Sequence, residues 1–235
     1  FLYAQALAQG DSAATLAYDV VDVPSDYRSD RPLREHGPAR YREALAGSYN
    51  LSAIHVLETI GVNRFLEKLR LVGLSPLAES ASDYGFGLAL GSAKVRLLDL
   101  AAAYAFLVNH GMVTPAHGVN GSMPSHRVFE PNVSWLVMDM LADPGARRTV
   151  FGAELPLDLS FPVAAKTGTS GGFADTLTVI ATREFIVAAW AGNPDGSGTQ
   201  GSLAMWSAAP LARAALLAAA DGRRLSLPPM PEARE

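Results

Sequence analysis

Apolar and polar positions alternate with a helical period through most of the first 160 residues. Residues 1–9 carry Leu2, Tyr3, Ala6 and Leu7 in a spacing that predicts a helix stopping at Gly10. The stretch 11–38 is rich in Asp, Pro, Ser and Arg with little periodicity, which predicts an extended surface excursion. Helical spacing returns over 41–71, interrupted at Gly47-Ser48 and again near Gly61-Val62-Asn63. The clearest amphipathic pattern lies in 96–109. Leu97, Leu100, Ala101, Tyr104, Leu107 and Val108 would share one face, and His110-Gly111 would end the helix. Another helix is predicted over 132–141, opened by Pro131-Asn132 and closed before Asp143-Pro144-Gly145.

The period changes after Pro156. Residues 163–169, 176–182 and 185–190 are β-branched or aromatic runs of strand length. Only Arg183-Glu184 separates the last two, which implies an antiparallel hairpin. The first run should pair with the second from the edge. Asn193-Pro194-Asp195-Gly196-Ser197-Gly198 reads as a loop, 203–220 as a last helix, and 225–235 as a Pro-rich linker. Helices, then three strands, then a helix make an α+β arrangement, not alternating βαβ units.

Composition narrows the chemistry. Hydrophobic residues make up 49% and charged residues 18%, enough apolar content to bury a core. A net charge of −4 gives no electrostatic case for nucleic acid. With no cysteine there is no thiol catalysis and no disulfide, and the five histidines lack metal-ligand spacing, so neither a metal nor a cofactor is expected. No apolar run reaches the roughly 20 residues of a membrane span. The chain opens at Phe1-Leu2-Tyr3 as a helix already under way, as a fragment would.

Lysine is scarce: Lys68, Lys94 and Lys166 stand beside sixteen arginines. Lys166 opens Lys166-Thr167-Gly168-Thr169-Ser170 on a predicted strand. A lysine among apolar strand residues wants an anion or a polar partner. Thr167 and Thr169 would put two hydroxyls on one face, and Gly168 would let another backbone approach the other. The plainer alternative is a lysine at a strand end followed by a polar turn. Ser48-Tyr49-Asn50 sits at a helix break, where a hydroxyl and an amide two residues apart can face one cleft. Taken alone, Ser48 reads more simply as the N-cap of the following helix. Gly85-Phe86-Gly87 and Gly91 have the wrong spacing for a dinucleotide fingerprint, with no strand leading in. Tyr104 and Trp135 read as core.

Ser-x-Asn followed much later by Lys-Thr-Gly-Thr-Ser resembles the second and third motifs of serine penicillin-recognising enzymes. His36-Gly37-Pro38 with Arg42-Glu43-Ala44-Leu45 resembles the approach to Ser-x-Asn. Gly87-Leu88-Ala89-Leu90-Gly91, Leu98-Asp99-Leu100-Ala101 and Tyr104-Ala105 resemble the family's helical core, and 1–7 resembles the helix that continues from its Ser-x-x-Lys motif. Gly171-Gly172-Phe173-Ala174-Asp175 looks most similar to class A, bifunctional penicillin-binding proteins of the 1C type.

The resemblance implies a partial transpeptidase domain over 1–222 of the penicillin-recognising, β-lactamase-like fold. Residues 1–160 would be mainly helical, 161–222 would hold the strands and last helix, and 223–235 a linker. It implies peptidoglycan D,D-transpeptidation by acyl transfer from D-Ala-D-Ala stem peptides, with β-lactams as ligands, outside the cytoplasmic membrane. A glycosyltransferase domain and a membrane anchor would lie upstream. Lys166 would orient the substrate carboxylate and support proton transfer, Ser48 would relay a proton, and Asn50 would bind an amide carbonyl. Thr167, Gly168, Thr169 and Ser170 would form the substrate-binding edge. One departure is large. No Ser-x-x-Lys occurs: Phe65, Gly91 and Val163 stand three residues before the lysines. The chain alone is therefore expected to be inactive. Alternatives are a non-catalytic wall-binding module of the same fold, or a β-lactamase or D,D-carboxypeptidase.

Overall fold

A computed structural model describes residues 1–19, 35–118 and 121–232. Nine α-helices and seven strands are assigned among them, with helices through the first two-thirds and a sheet plus one helix in the last third. The opening helix α1 (Leu2–Ala8) buries nearly every side chain it has. Strands β1 (Leu16–Asp19) and β2 (Gly37–Arg40) then pair antiparallel, Leu16 opposite Arg40 and Asp19 opposite Gly37. The two ends of the predicted excursion are thus a small ladder, and most of what lies between falls outside the described residues.

The helical body follows. Helix α2 (Tyr41–Gly47) starts where the Glu43 carboxylate accepts the Arg40 N–H at 3.0 Å, closing the N-terminal turn. Helices α3 (Asn50–Ile60) and α4 (Val62–Leu71) are separated by Gly61, whose φ of 88° suits a residue without Cβ. A single turn, α5 (Ala81–Tyr84), leads into 3₁₀ backbone at Gly85–Leu90. No strand enters it, as the rejected dinucleotide pattern requires.

The pattern over 96–109 predicts the end better than the interior. Helix α6 (Leu97–Ala103) tightens into a 3₁₀ turn at Tyr104–Leu107, and the chain leaves through His110 and Gly111 at positive φ. The most buried positions are Asp99, Ala103, Phe106 and Leu107. Only Leu107 belongs to the predicted face, because the switch from 3.6 to 3 residues per turn rotates the apolar stripe.

The hairpin of β3 (Met112–Val113) and β4 (His126–Arg127) precedes α7 (Pro131–Ala142). Asp143-Pro144-Gly145 closes α7, as the sequence predicts, and also starts a further helix. In α8 (Pro144–Phe151) Pro144 occupies the first turn, where its missing N–H costs nothing, and Asp143 Oδ1 accepts the Ala146 N–H at 3.0 Å.

Strands β5 (Ala164–Thr169), β6 (Asp175–Ala181) and β7 (Ile186–Gly192) form an antiparallel sheet in the order β5-β6-β7. Lys166 lies opposite Val179, and Ala181 opposite Ile186 across the Arg183-Glu184 turn. Helix α9 (Ala208–Ala220) covers one face of this sheet. It starts five residues later than its pattern suggests, since Leu203–Trp206 form a turn closed by Trp206 N–H to Leu203 O. Ala208, Ala212, Leu216 and Ala220 repeat every fourth residue and are fully buried, so α9 packs close to the strands.

The tail begins as part of the fold. Leu225 is buried, the Arg183 N–H donates to Ser226 O, and the Ser226 hydroxyl donates to Glu184 at 2.8 Å.

Two apolar clusters result. The larger joins α1 to α7 and includes Ala164 and Ala181. The smaller lies between sheet and α9 and includes Ala165 and Ile180. Adjacent residues of β5 therefore face different cores, which decides where its polar side chains point.

Candidate active site

Ser48 ends α2 in the left-handed region, at φ 60° and ψ 45°. Its N–H returns to Leu45 O and the Tyr49 N–H to Ala44 O, so the turn closes in the way glycine usually allows. Ser48 is thus the C-cap of α2 and not the N-cap of α3, which is Tyr49. A serine held at positive φ costs backbone strain, and such positions concentrate where side-chain placement matters for function.

Lys166 reaches across from β5. Its Nζ donates to Ser48 Oγ at 2.6 Å and to the Thr167 carbonyl at 2.7 Å. These two residues, 118 apart in sequence, form the centre of the cleft. Burial disfavours the ammonium and lowers the Lys166 pKa from 10.5 to about 8. Near neutral pH about a tenth of this amine therefore carries a lone pair against the Ser48 hydroxyl, far more than at the ordinary lysine value. The start of α1 lies close enough for the charge of Lys166 to be felt at Phe1.

Lys166 and Gly168 share the face of β5 that meets the helical body, whereas Thr167 and Thr169 share the α9 face, as the core memberships of Ala164 and Ala165 require. The two hydroxyls do lie on one side, but across the strand from the lysine. A Cβ at Gly168 would meet nothing within 4 Å. Among the described residues no backbone fills the place opened by Gly168, contrary to the close approach expected from sequence. The space beside the lysine is open to a ligand.

The remaining candidates differ in their ties. Thr169 Oγ1 accepts the Ala204 N–H at 3.0 Å, leaving its own proton to donate. No hydrogen bond engages the Thr167 hydroxyl among the described residues. Asn50, in the first turn of α3, is exposed, and among the described residues no hydrogen bond joins its side chain to Ser48 or Lys166. Ser170 serves the turn after β5, its Oγ accepting the Asp175 N–H at 2.8 Å.

Sequence reasoning passed over the supports of Ser48. Tyr49 is stacked on His36 with ring centroids 3.8 Å apart and planes 4° from parallel. A Cβ at Gly47 would come within 2.7 Å of Tyr49 Cε1 and 2.8 Å of Val150 Cγ2. Arg42 ties α2 to the α7–α8 joint through Asp139 at 2.5 Å and Asp143 at 3.4 Å. His36 and Arg42 stood in the segment that resembles the approach to Ser-x-Asn, but nothing in their spacing showed these partners.

Residues 11–197 match the family model of the penicillin-binding protein transpeptidase domain. The chain belongs to that family. Penicillin-binding protein 1C of Escherichia coli K12 is 33% identical over 214 residues, covering 90% of this chain and 27% of the relative. Penicillin-binding protein 1A of Clostridium perfringens strain 13 is 30% identical over 199 residues, covering 73% of this chain and 28% of the relative. The homology is to class A penicillin-binding proteins over their transpeptidase region, and the chain spans about a quarter of their length. Among solved structures, the penicillin-binding protein PonA1 of Mycobacterium tuberculosis superposes with a TM-score of 0.76 at 21% identity, covering all of this chain and 70% of that one. Penicillin-binding protein A of the same organism, as an imipenem acyl-enzyme complex, gives 0.71 at 18%, covering 93% of this chain and 58% of that one. The α+β fold is thus that of penicillin-binding transpeptidases.

Proposed function

We propose that this chain supplies the substrate-holding and proton-relaying part of a peptidoglycan D,D-transpeptidase. The observation that carries the proposal is the 2.6 Å contact between Lys166 and Ser48, with the lysine pKa lowered to about 8. A group poised there can take a proton from the Ser48 hydroxyl and return it, as general acid–base catalysis near neutral pH needs. When acyl transfer expels D-alanine, its amine takes a proton from Ser48, and Lys166 restores it. The terminal carboxylate of the stem peptide lies along the open edge of β5 at Gly168, where the Lys166 charge reaches it from one face of the strand and the Thr167 and Thr169 hydroxyls from the other. The exposed amide of Asn50 binds a peptide carbonyl.

The nucleophile of that chemistry is not among these 235 residues, since they contain no Ser-x-x-Lys. As the family resemblance implies, it enters from the N-terminal side of α1. The relatives carry penicillin binding in their names, and the imipenem acyl-enzyme complex of a neighbour supports β-lactams as ligands of the same cleft. Homology to class A proteins about three times as long supports an upstream glycosyltransferase domain and anchor, and a site of action outside the cytoplasmic membrane. Labelled penicillin followed by a denaturing gel is the test. The 235-residue chain should show no stoichiometric ester adduct, and the chain extended upstream through a Ser-x-x-Lys helix should show one. A stoichiometric adduct on the chain alone, or none on the extended chain, would refute the proposal.

A further inference from the structure

The substrate edge of β5 ends at Thr169, and the chain must turn back into β6 within residues 170–174. The turn closes on itself first: the Ser170 N–H donates to Asp175 O at 2.9 Å, and Ser170 Oγ accepts the Asp175 N–H at 2.8 Å. Inside it, Gly172 at φ 62° and Phe173 at φ 59° are consecutive left-handed residues. Glycine adopts that backbone freely, but a phenylalanine rarely does. Something outside the turn must hold it. Phe173 O accepts two hydrogen bonds from Thr199, from its N–H at 3.0 Å and its hydroxyl at 2.7 Å. The preceding residue comes so close that a Cβ at Gly198 would sit 2.4 Å from Gly172 O. Five residues on, the Ala204 N–H reaches Thr169 Oγ1. From the β7 side, Trp190 Nε1 donates to the Asp175 carboxylate at 2.7 Å.

We infer that the segment from Gly198 to Ala204 is a clasp on the substrate edge, with Thr199 its central positioning residue. Thr199 holds Phe173 in its strained conformation, which fixes the turn and, with Ala204, the position of the Thr169 hydroxyl. The clasp touches no reacting atom. It acts through Thr169, and its role in substrate holding rests on the proposed transpeptidase function. The loop between β7 and α9 is thereby part of the site rather than a passive connection. If strain at Phe173 is what the clasp opposes, a glycine at 173 should make Thr199 dispensable.

Two measurements test this. In the 235-residue chain, hydrogen exchange across residues 170–175 should quicken about ten-fold in Thr199→Val, the worth of one hydrogen bond. Thr199→Ser should exchange like wild type, and the further change Phe173→Gly should restore at least half of the protection lost in Thr199→Val. In the extended, penicillin-reactive chain, Thr199→Val should lower acylation efficiency by about five- to ten-fold, mainly as a weaker pre-acylation Kd in the folded protein. Thr199→Ser should stay within about two-fold of wild type. A merely structural residue would lower the melting temperature and leave that Kd unchanged. Unaltered exchange in Thr199→Val, or equal losses with phenylalanine and glycine at 173, would overturn the clasp. Altered exchange with unaltered Kd would overturn its role in substrate holding. Failure of the wild-type extended chain to label would instead count against the transpeptidase function, with the exchange test still deciding the clasp.

Discussion

Replacing Lys166 by methionine keeps the apolar stem of the side chain and removes its charge, which isolates the consequence of burying that charge. Wild-type Lys166 titrates near 8 in the folded protein and near the ordinary lysine value of 10.5 when unfolded. Between those values the unfolded chain holds a proton that the folded chain has released, so wild-type stability rises with pH there. Below pH 8 the full cost of the buried ammonium is present, and above 10.5 it is gone. Linkage gives a gain of about 2 kcal/mol between roughly pH 7 and 9.5, approaching about 3 kcal/mol at 10.5. Lys166→Met lacks this gain, while the tyrosines and other lysines titrate alike in both proteins. Urea unfolding of the two chains across this range, plotted as the difference in ΔG, should therefore climb with pH in favour of wild type. A flat difference would refute the lowered pKa. A falling one would mean the ammonium is stabilised by negative charge, and the lone pair offered to Ser48 would be absent.

Ser48→Gly should change stability by less than about 1 kcal/mol, because relief at φ 60° offsets the lost contact with Lys166. The same change should slow penicillin acylation of the extended chain about a hundred-fold, so a stable but reactive variant would exclude the proton relay. Gly47→Ala should destabilise by about 1–3 kcal/mol in urea, since its methyl meets Tyr49 and Val150 side chains below 3 Å. An unchanged urea midpoint would show that Tyr49 gives way freely. Arg42→Ala should cost about 1–2 kcal/mol, and Arg42→Lys should recover less than half, because one ammonium cannot span Asp139 and Asp143 together. Unfolding at low and high salt measures this, and full recovery by lysine would reduce the contact to simple charge attraction.

Local chemistry was enough to determine much of the protein. The period change after Pro156 located the three strands of the β5-β6-β7 sheet, though not the short pairs β1-β2 and β3-β4, and Arg183-Glu184 between two apolar runs could close only a tight hairpin. The breaks at Gly47-Ser48 and Gly61 followed from side chains that disfavour continued helix. Lys166-Thr167-Gly168-Thr169 and Ser48-Tyr49-Asn50 stood out because a lone lysine in an apolar strand and a hydroxyl at a helix break each call for a polar partner. Only the tertiary structure showed that they partner each other, because a contact across 118 residues depends on how the helical body and the sheet pack. Packing likewise decided which side of β5 faces which core, and hence that Lys166 and the two threonines lie on opposite faces. It made Asp143-Pro144 the start of α8 as well as the stop of α7 that the sequence predicts, since whether a second helix follows depends on its finding a surface to bury. It also set Ser48 and Phe173 in left-handed backbone, which no propensity favours at either residue. Such conformations persist only where distant groups outweigh the local cost, so the adjoining residues alone do not determine them.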